Sequence, residues 1–253
     1  MTEYAVKLSS TRDAGGDWWR GARVWGYLTA AAFLSATLVW AMEALGLLGE
    51  APQHVETSAG RLADEAAWWA GYFDWRHETL WNPLLRNALF IVAYLGTVPL
   101  MLALARATGL MAARVAAAYT GIAAVFGILQ AIAFLGATDY WRDDGWGQVP
   151  DEIMVVVGRD TQVLDQLSTW AGLAGFAVLA LALGHAAVAI RHAESLPQPL
   201  ARLAWVGTGL LAAMVVLSVA QVDLGLTLDL LSLAAGAVFA PVFFVALGRS
   251  LGR

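Results

Sequence analysis

The sequence predicts an all-α polytopic membrane protein. It reads as a bundle of six transmembrane helices with both termini cytoplasmic, capped outside by an amphipathic, Trp-rich surface helix. Three observations predict this. Apolar residues make up 59% of the 253 positions and charged residues 14%, against about 45–50% and about 25% in soluble domains. Six stretches reach the roughly 20 apolar residues needed to cross about 30 Å of hydrocarbon. The basic residues alternate from one side of those stretches to the other.

The spans are expected at about 24–46, 84–105, 115–137, 167–190, 203–221 and 225–248, within a single membrane domain, 1–253. Backbone groups cannot go unpaired in lipid, so spans of this length must be helices. The first 22 residues hold Lys7, Arg12, Asp13, Asp17 and Arg20. They are too polar for a signal-peptide core, so the first helix is expected to stay attached. With the N-terminus inside, Lys7, Arg12, Arg20, Arg23, Arg106, Arg114, Arg191, Arg202, Arg249 and Arg253 are cytoplasmic, set against Glu3, Asp13, Asp17 and Glu194. Most of the 20 acidic residues then lie outside. The inner (plasma) membrane is the expected location.

Two long outer connections, 47–83 and 138–166, form the expected cap; the others are short, the last a tight turn around Asp223. Within the first, Trp68, Trp69, Tyr72, Phe73, Leu80 and Trp81 recur at helical spacing, which reads as an amphipathic helix lying flat among headgroups. Residues 150–163 read as a second short surface helix, with Pro150 at its start and Asp151 and Glu152 in its first turn. Pro99 and Pro241 lie inside spans and are expected to kink them.

Ionisable residues in a span are costly and therefore functional candidates. Glu43, Arg86, Asn87, Gln130, Asp165, Gln166, Gln221 and Asp229 all fall in the outer half, and only His185 falls toward the cytoplasm. Glu43, Arg86 and Asp229 are the candidate catalytic set, two carboxylates for acid/base work with a guanidinium as counter-ion. Trp68, Trp69, Tyr72, Phe73, Trp81, Asn87 and Gln130 are the candidate binding residues.

Much chemistry is excluded. There are no cysteines and four histidines, which removes thiolate catalysis, Fe–S clusters and histidine-rich di-iron sites. Lys7, the only lysine, lies outside the spans, so no Schiff base forms there. No GxSxG elbow, HExxH pair or P-loop is present. Asp143–Asp144 sits in a Gly-containing loop, and His54 and His77 with nearby acids make only a weak metal set. No cofactor or resident metal is expected, and the net charge of −5 argues against nucleic acid.

The stretch GLAGFAVLALALGHAAVAIRHAESLPQPLARLAWVGTGLL, a helix, a basic Pro-containing turn and a Gly-containing helix, is similar in layout to uncharacterised bacterial six-helix membrane proteins. The resemblance covers 84–248 in architecture and implies no activity. The leading expectation is a non-catalytic accessory subunit or a binder of a lipid or other hydrophobic molecule. Its partners would be membrane lipids, a membrane protein, or another copy of the chain. The alternative is an enzyme acting on an isoprenoid or lipid; a small transporter comes third, lacking a polar path to the cytoplasmic face.

Overall fold

The computed structural model describes residues 16–49, 62–141, 146–220 and 226–252. Expectations for the first fifteen residues, His54, Asp143–Asp144 and the turn around Asp223 lie outside the described residues. Every regular element described is helical: α1 (Gly16–Ala44), α2 (Leu62–Glu78), α3 (Trp81–Thr108), α4 (Met111–Trp141), α5 (Asp151–His192), α6 (Gln198–Val219), α7 (Leu226–Leu233) and α8 (Ala240–Leu251). A single 3₁₀ turn, Trp146–Gln148, precedes α5, and a π-helical stretch, Ala234–Phe239, joins α7 to α8.

Six of these helical runs are long and apolar enough to cross a membrane: Gly21–Ala44, Trp81–Thr108, Met111–Thr138, Asp151–His192, Gln198–Val219 and Thr227–Leu251. This suggests a multi-pass membrane protein. Their outward faces carry large apolar side chains, among them Val125, Leu129 and Ile132 on α4 and Val206 and Val216 on α6. Water would penalise so continuous an apolar surface, and lipid does not.

The spans close a ring in the order α1, α3, α4, α5, α6, α7–α8 and back to α1. Local chemistry sets the joints. Gly109 takes the left-handed conformation (φ 65°) and its N–H caps α3 on the Ala105 carbonyl at 3.0 Å, so the chain reverses into α4 with only Gly109 and Leu110 between the helices. Pro197 and Pro199 start α6, where a missing N–H costs nothing. Gly26 and Gly248 let α1 and α8 cross backbone to backbone; a Cβ on Gly26 would lie 2.6 Å from the Phe244 carbonyl oxygen. The expected break at Pro241 takes the form of the π stretch just before it, which opens the turn where the proline ring excludes an ordinary i→i−4 bond. α3 runs uninterrupted through Pro99.

Two expectations about the cap change. Residues 150–163 are not a separate helix: they are the first turns of α5, whose 42 residues span about 63 Å, roughly twice the hydrocarbon thickness. No residue after Pro150 interrupts hydrogen bonding, so α5 projects beyond the other spans. Nor does α2 present its aromatic face outward. Trp69 and Phe73 are buried with Ala66, Phe134, Ala137, Met154 and Val155 in a second core, with Trp68, Tyr72, Tyr140 and Trp146 half-buried around it. Protein supplies a better fit for these rings than headgroups would: Gly158 on α5 leaves a flat seat for the Trp69 indole, and Arg159 pairs with Glu65 through two 3.0 Å hydrogen bonds. That pairing holds the Glu65 carboxyl below its ordinary range, while burial pushes the Tyr72 phenol above its own.

Candidate functional site

Chain direction places the end of α1, the starts of α3, α5 and α7, and the ends of α4 and α6 at one end of the bundle, beside α2. From this cap end a cavity of about 420 Å³ runs down inside the ring, lined by residues of all six spans. Small-molecule sites occupy about 300–1,000 Å³. On α5 the lining runs from Asp165 to Leu183, positions about 27 Å apart along the helix.

The lining is most polar at one end, with Thr37 and Tyr94 the polar residues farther in. Near the cap it comprises Arg86 and Asn87 of α3, Gln130 of α4, Asp165, Ser168 and Thr169 of α5, and Ser232 of α7. Deeper, it comprises Phe33, Phe176, Leu179, Leu183, Leu211, Phe239 and Phe244. Three residues of the π stretch, Ala235, Gly236 and Phe239, form part of this wall, in keeping with the tendency of π-bulges to occur at functional sites.

Several contacts fix the polar end. Arg86 pairs through Nη1 with the Glu43 carboxylate, joining the end of α1 to the start of α3, and its guanidinium lies 5.4 Å from the Phe134 ring centroid. Both side chains of the pair are largely shielded, at 18% and 15% exposure. Asn87 is buried and donates to the Pro83 carbonyl at 2.8 Å, which anchors its amide. Ser168 donates to the Gln130 carbonyl at 3.0 Å, tying α5 to α4. Gly172 faces the Gln130 amide so closely that a Cβ there would collide with it. The Asp165 carbonyl accepts from the Thr169 hydroxyl at 2.9 Å, while its carboxylate has no hydrogen bond or ion pair among the described residues but is within electrostatic reach of Arg86 and of Arg76 on α2.

Tyr94 lies two turns below Arg86 on α3. Its ring packs over Gly127, its edge meets Phe33 at 6.0 Å between centroids, and it is 1% exposed. Its hydroxyl has no hydrogen-bond partner among the described residues. A buried hydroxyl left this way costs about 1–3 kcal/mol.

Of the residues singled out from sequence, Arg86, Asn87 and Gln130 line the cavity, and Glu43 joins them through its ion pair. Asp229 does not: it is half-buried on α7, outside the lining. Trp68, Trp69, Tyr72 and Phe73 build the second core instead, and Trp81 is 79% exposed. The His185 ring lies 5.6 Å from that of Tyr119, tilted by 30° and away from the cavity. Sequence reasoning passed over Tyr94, Thr37, Trp40, Ser168 and Thr169, and took Asp165 only as a residue preceding the fourth span. The available signal was spacing: Asp165, Ser168, Thr169 and Gly172 fall at i, i+3, i+4 and i+7, one helix face. Among the described residues, no group of three or more His, Asp or Glu side chains is placed to hold a metal ion. No protein-family model, curated protein or solved structure matches the chain.

Proposed function

We propose that this chain binds one amphiphilic, lipid-like molecule inside its helix ring, with the polar head at the cap end and the tail among the deeper aromatic and aliphatic side chains. It does so as a non-catalytic membrane protein, in the inner membrane with both termini cytoplasmic. The observation that carries the reading is the one-sided polarity of a long, narrow cavity. A uniformly apolar cavity would suit a hydrocarbon, and a uniformly polar one a solute. Orientation is supported by the charge asymmetry: the connections at the end opposite the cap carry Arg106, Arg114, Arg191, Arg202 and Arg249.

Charge at the polar end defines the head further. Glu43 and Asp165 are balanced by Arg86 and, beyond the lining, Arg76, and the other groups are amides and hydroxyls. That balance suits an uncharged or zwitterionic head over a strongly anionic one. The volume lies in the lower part of the usual range, which favours a single chain over a double-chain lipid.

Native mass spectrometry of gently extracted protein tests the reading. The wild type should retain one amphiphile per chain. Ala235→Leu, which grows a buried lining residue, should lose it with the fold intact. Equal retention by both proteins would refute the assignment. One observation supports a second reading, an enzyme acting on the same amphiphile: Asp165 is an unpaired carboxylate in the lining. In that case Asp165→Asn abolishes conversion of the bound lipid without reducing its retention.

A further inference from the structure

We propose that the Tyr94 hydroxyl is a second polar station in the cavity, selecting an amphiphile that carries a carbonyl oxygen partway along its chain. This rests on the reading that the cavity holds an amphiphile, and it specifies which kind. The fold otherwise satisfies most of its buried hydroxyls locally. Thr97, Thr120, Thr138 and Thr161 each donate to a carbonyl three or four residues earlier, and Ser168 donates to the Gln130 carbonyl. Thr29 departs from this pattern but is packed against Gly96, outside the lining. Thr37 and Tyr94 depart from it and line the cavity, and of the two only the Tyr94 oxygen is fully enclosed without a partner among the described residues.

Its position is enforced rather than incidental. Gly127 provides the space its ring occupies, and Gly175 lies beside its oxygen, a Cβ there falling 3.6 Å away. The phenol thus crosses from α3 past α4 to α5 within an aromatic wall that phenylalanine would complete equally well for packing. The oxygen is the only difference. A phenol O–H is a good donor, and an acceptor in the occupant satisfies it. Eight residues separate Tyr94 from Arg86, so acceptor and head lie roughly 12 Å apart along the helix axis.

The test uses two probes: a monoglyceride of a fatty acid bearing a mid-chain keto group, and the unsubstituted monoglyceride of the same length. Equilibrium binding to detergent-purified full-length protein is measured for the wild type and Tyr94→Phe. Wild type is expected to bind the keto probe about five- to tenfold more tightly, the strength of one net hydrogen bond. Tyr94→Phe should bind the two alike. The infrared stretch of an isotope-labelled keto carbonyl should shift down on binding to wild type and not to the variant, a change that a packing role would not produce. If wild type binds both probes equally and the stretch does not move, the Tyr94 assignment is overturned while the cavity reading stands. If wild type binds neither probe, both fail.

Discussion

The seat of Trp69 gives the sharpest mechanical prediction. α2 is held to α5 chiefly by Trp69 and Phe73, and Gly158 lies directly beneath the indole; a Cβ there would overlap the ring. In an exposed helix, Gly→Ala gains about 0.5–1 kcal/mol. At Gly158 the methyl must instead displace Trp69 from a 7%-exposed site. Losing a buried Trp costs about 3–5 kcal/mol, so the net penalty is about 2–4 kcal/mol. If α2 opens as a unit, its amides should exchange with deuterium about 30- to 1,000-fold faster in Gly158→Ala, at roughly 1.4 kcal/mol per decade. Exchange in α3 and α4 should hardly change. The double-mutant cycle provides the control: in a Trp69→Ala background, where the ring is absent, Gly158→Ala should be neutral or slightly protective. If Gly158→Ala accelerates α2 exchange equally in both backgrounds, the indole seat is not what attaches the cap.

Three further outcomes follow from other contacts. Arg86→Met strands Glu43 at the cap end and should lower thermal stability by up to the roughly 3–5 kcal/mol of a broken buried pair. Adding Glu43→Gln should recover much of the loss, and additive losses would rule out direct pairing. The Glu65 carboxyl is held below its ordinary value of 4.5 first by its hydrogen bonds to Arg159. Its contribution to cap attachment is therefore present above pH 4.5 and fades as the pH falls through the lower folded value. Deuterium exchange of α2 should rise over that acid window in wild type, and Arg159→Ala should remove this part of the pH dependence. Gly248→Leu forces α8 away from α1 at their closest approach and should destabilise the bundle by about 1–3 kcal/mol or more, measured as a lower melting temperature in detergent.

The spans were legible in the sequence because membrane insertion demands a local signal, a long apolar run, that survives without knowledge of neighbours. The cap was less so. Arg159, Asp160 and Asp165 look like loop chemistry, yet they ride on α5, which simply outruns the bilayer. The periodicity of Trp68, Trp69, Tyr72 and Phe73 identified a helix correctly but could not say whether lipid or protein would cover it. The answer depended on Gly158, some 90 residues away, whose lack of a side chain carries no sign in sequence. Depth alone grouped Glu43, Arg86 and Asp229; rotation about the helix axis decides which of them meet, and it brings Glu43 to Arg86 and leaves Asp229 aside. Tyr94 was invisible for a related reason. A tyrosine inside a span looks like packing until its hydroxyl is found without a partner.

The central claim is that the interior of the ring, and not its outer surface, takes up an amphiphile. The most direct measurement is photolabelling in membranes with a monoglyceride carrying a diazirine near the end of its chain, followed by mapping of the adducts. Labels should concentrate on deep lining residues such as Phe176, Leu179 and Phe239, be competed by unlabelled monoglyceride, and vanish in Ala235→Leu. Labels confined to the outward-facing Val125, Leu129 and Ile132, and insensitive to competitor, would contradict it.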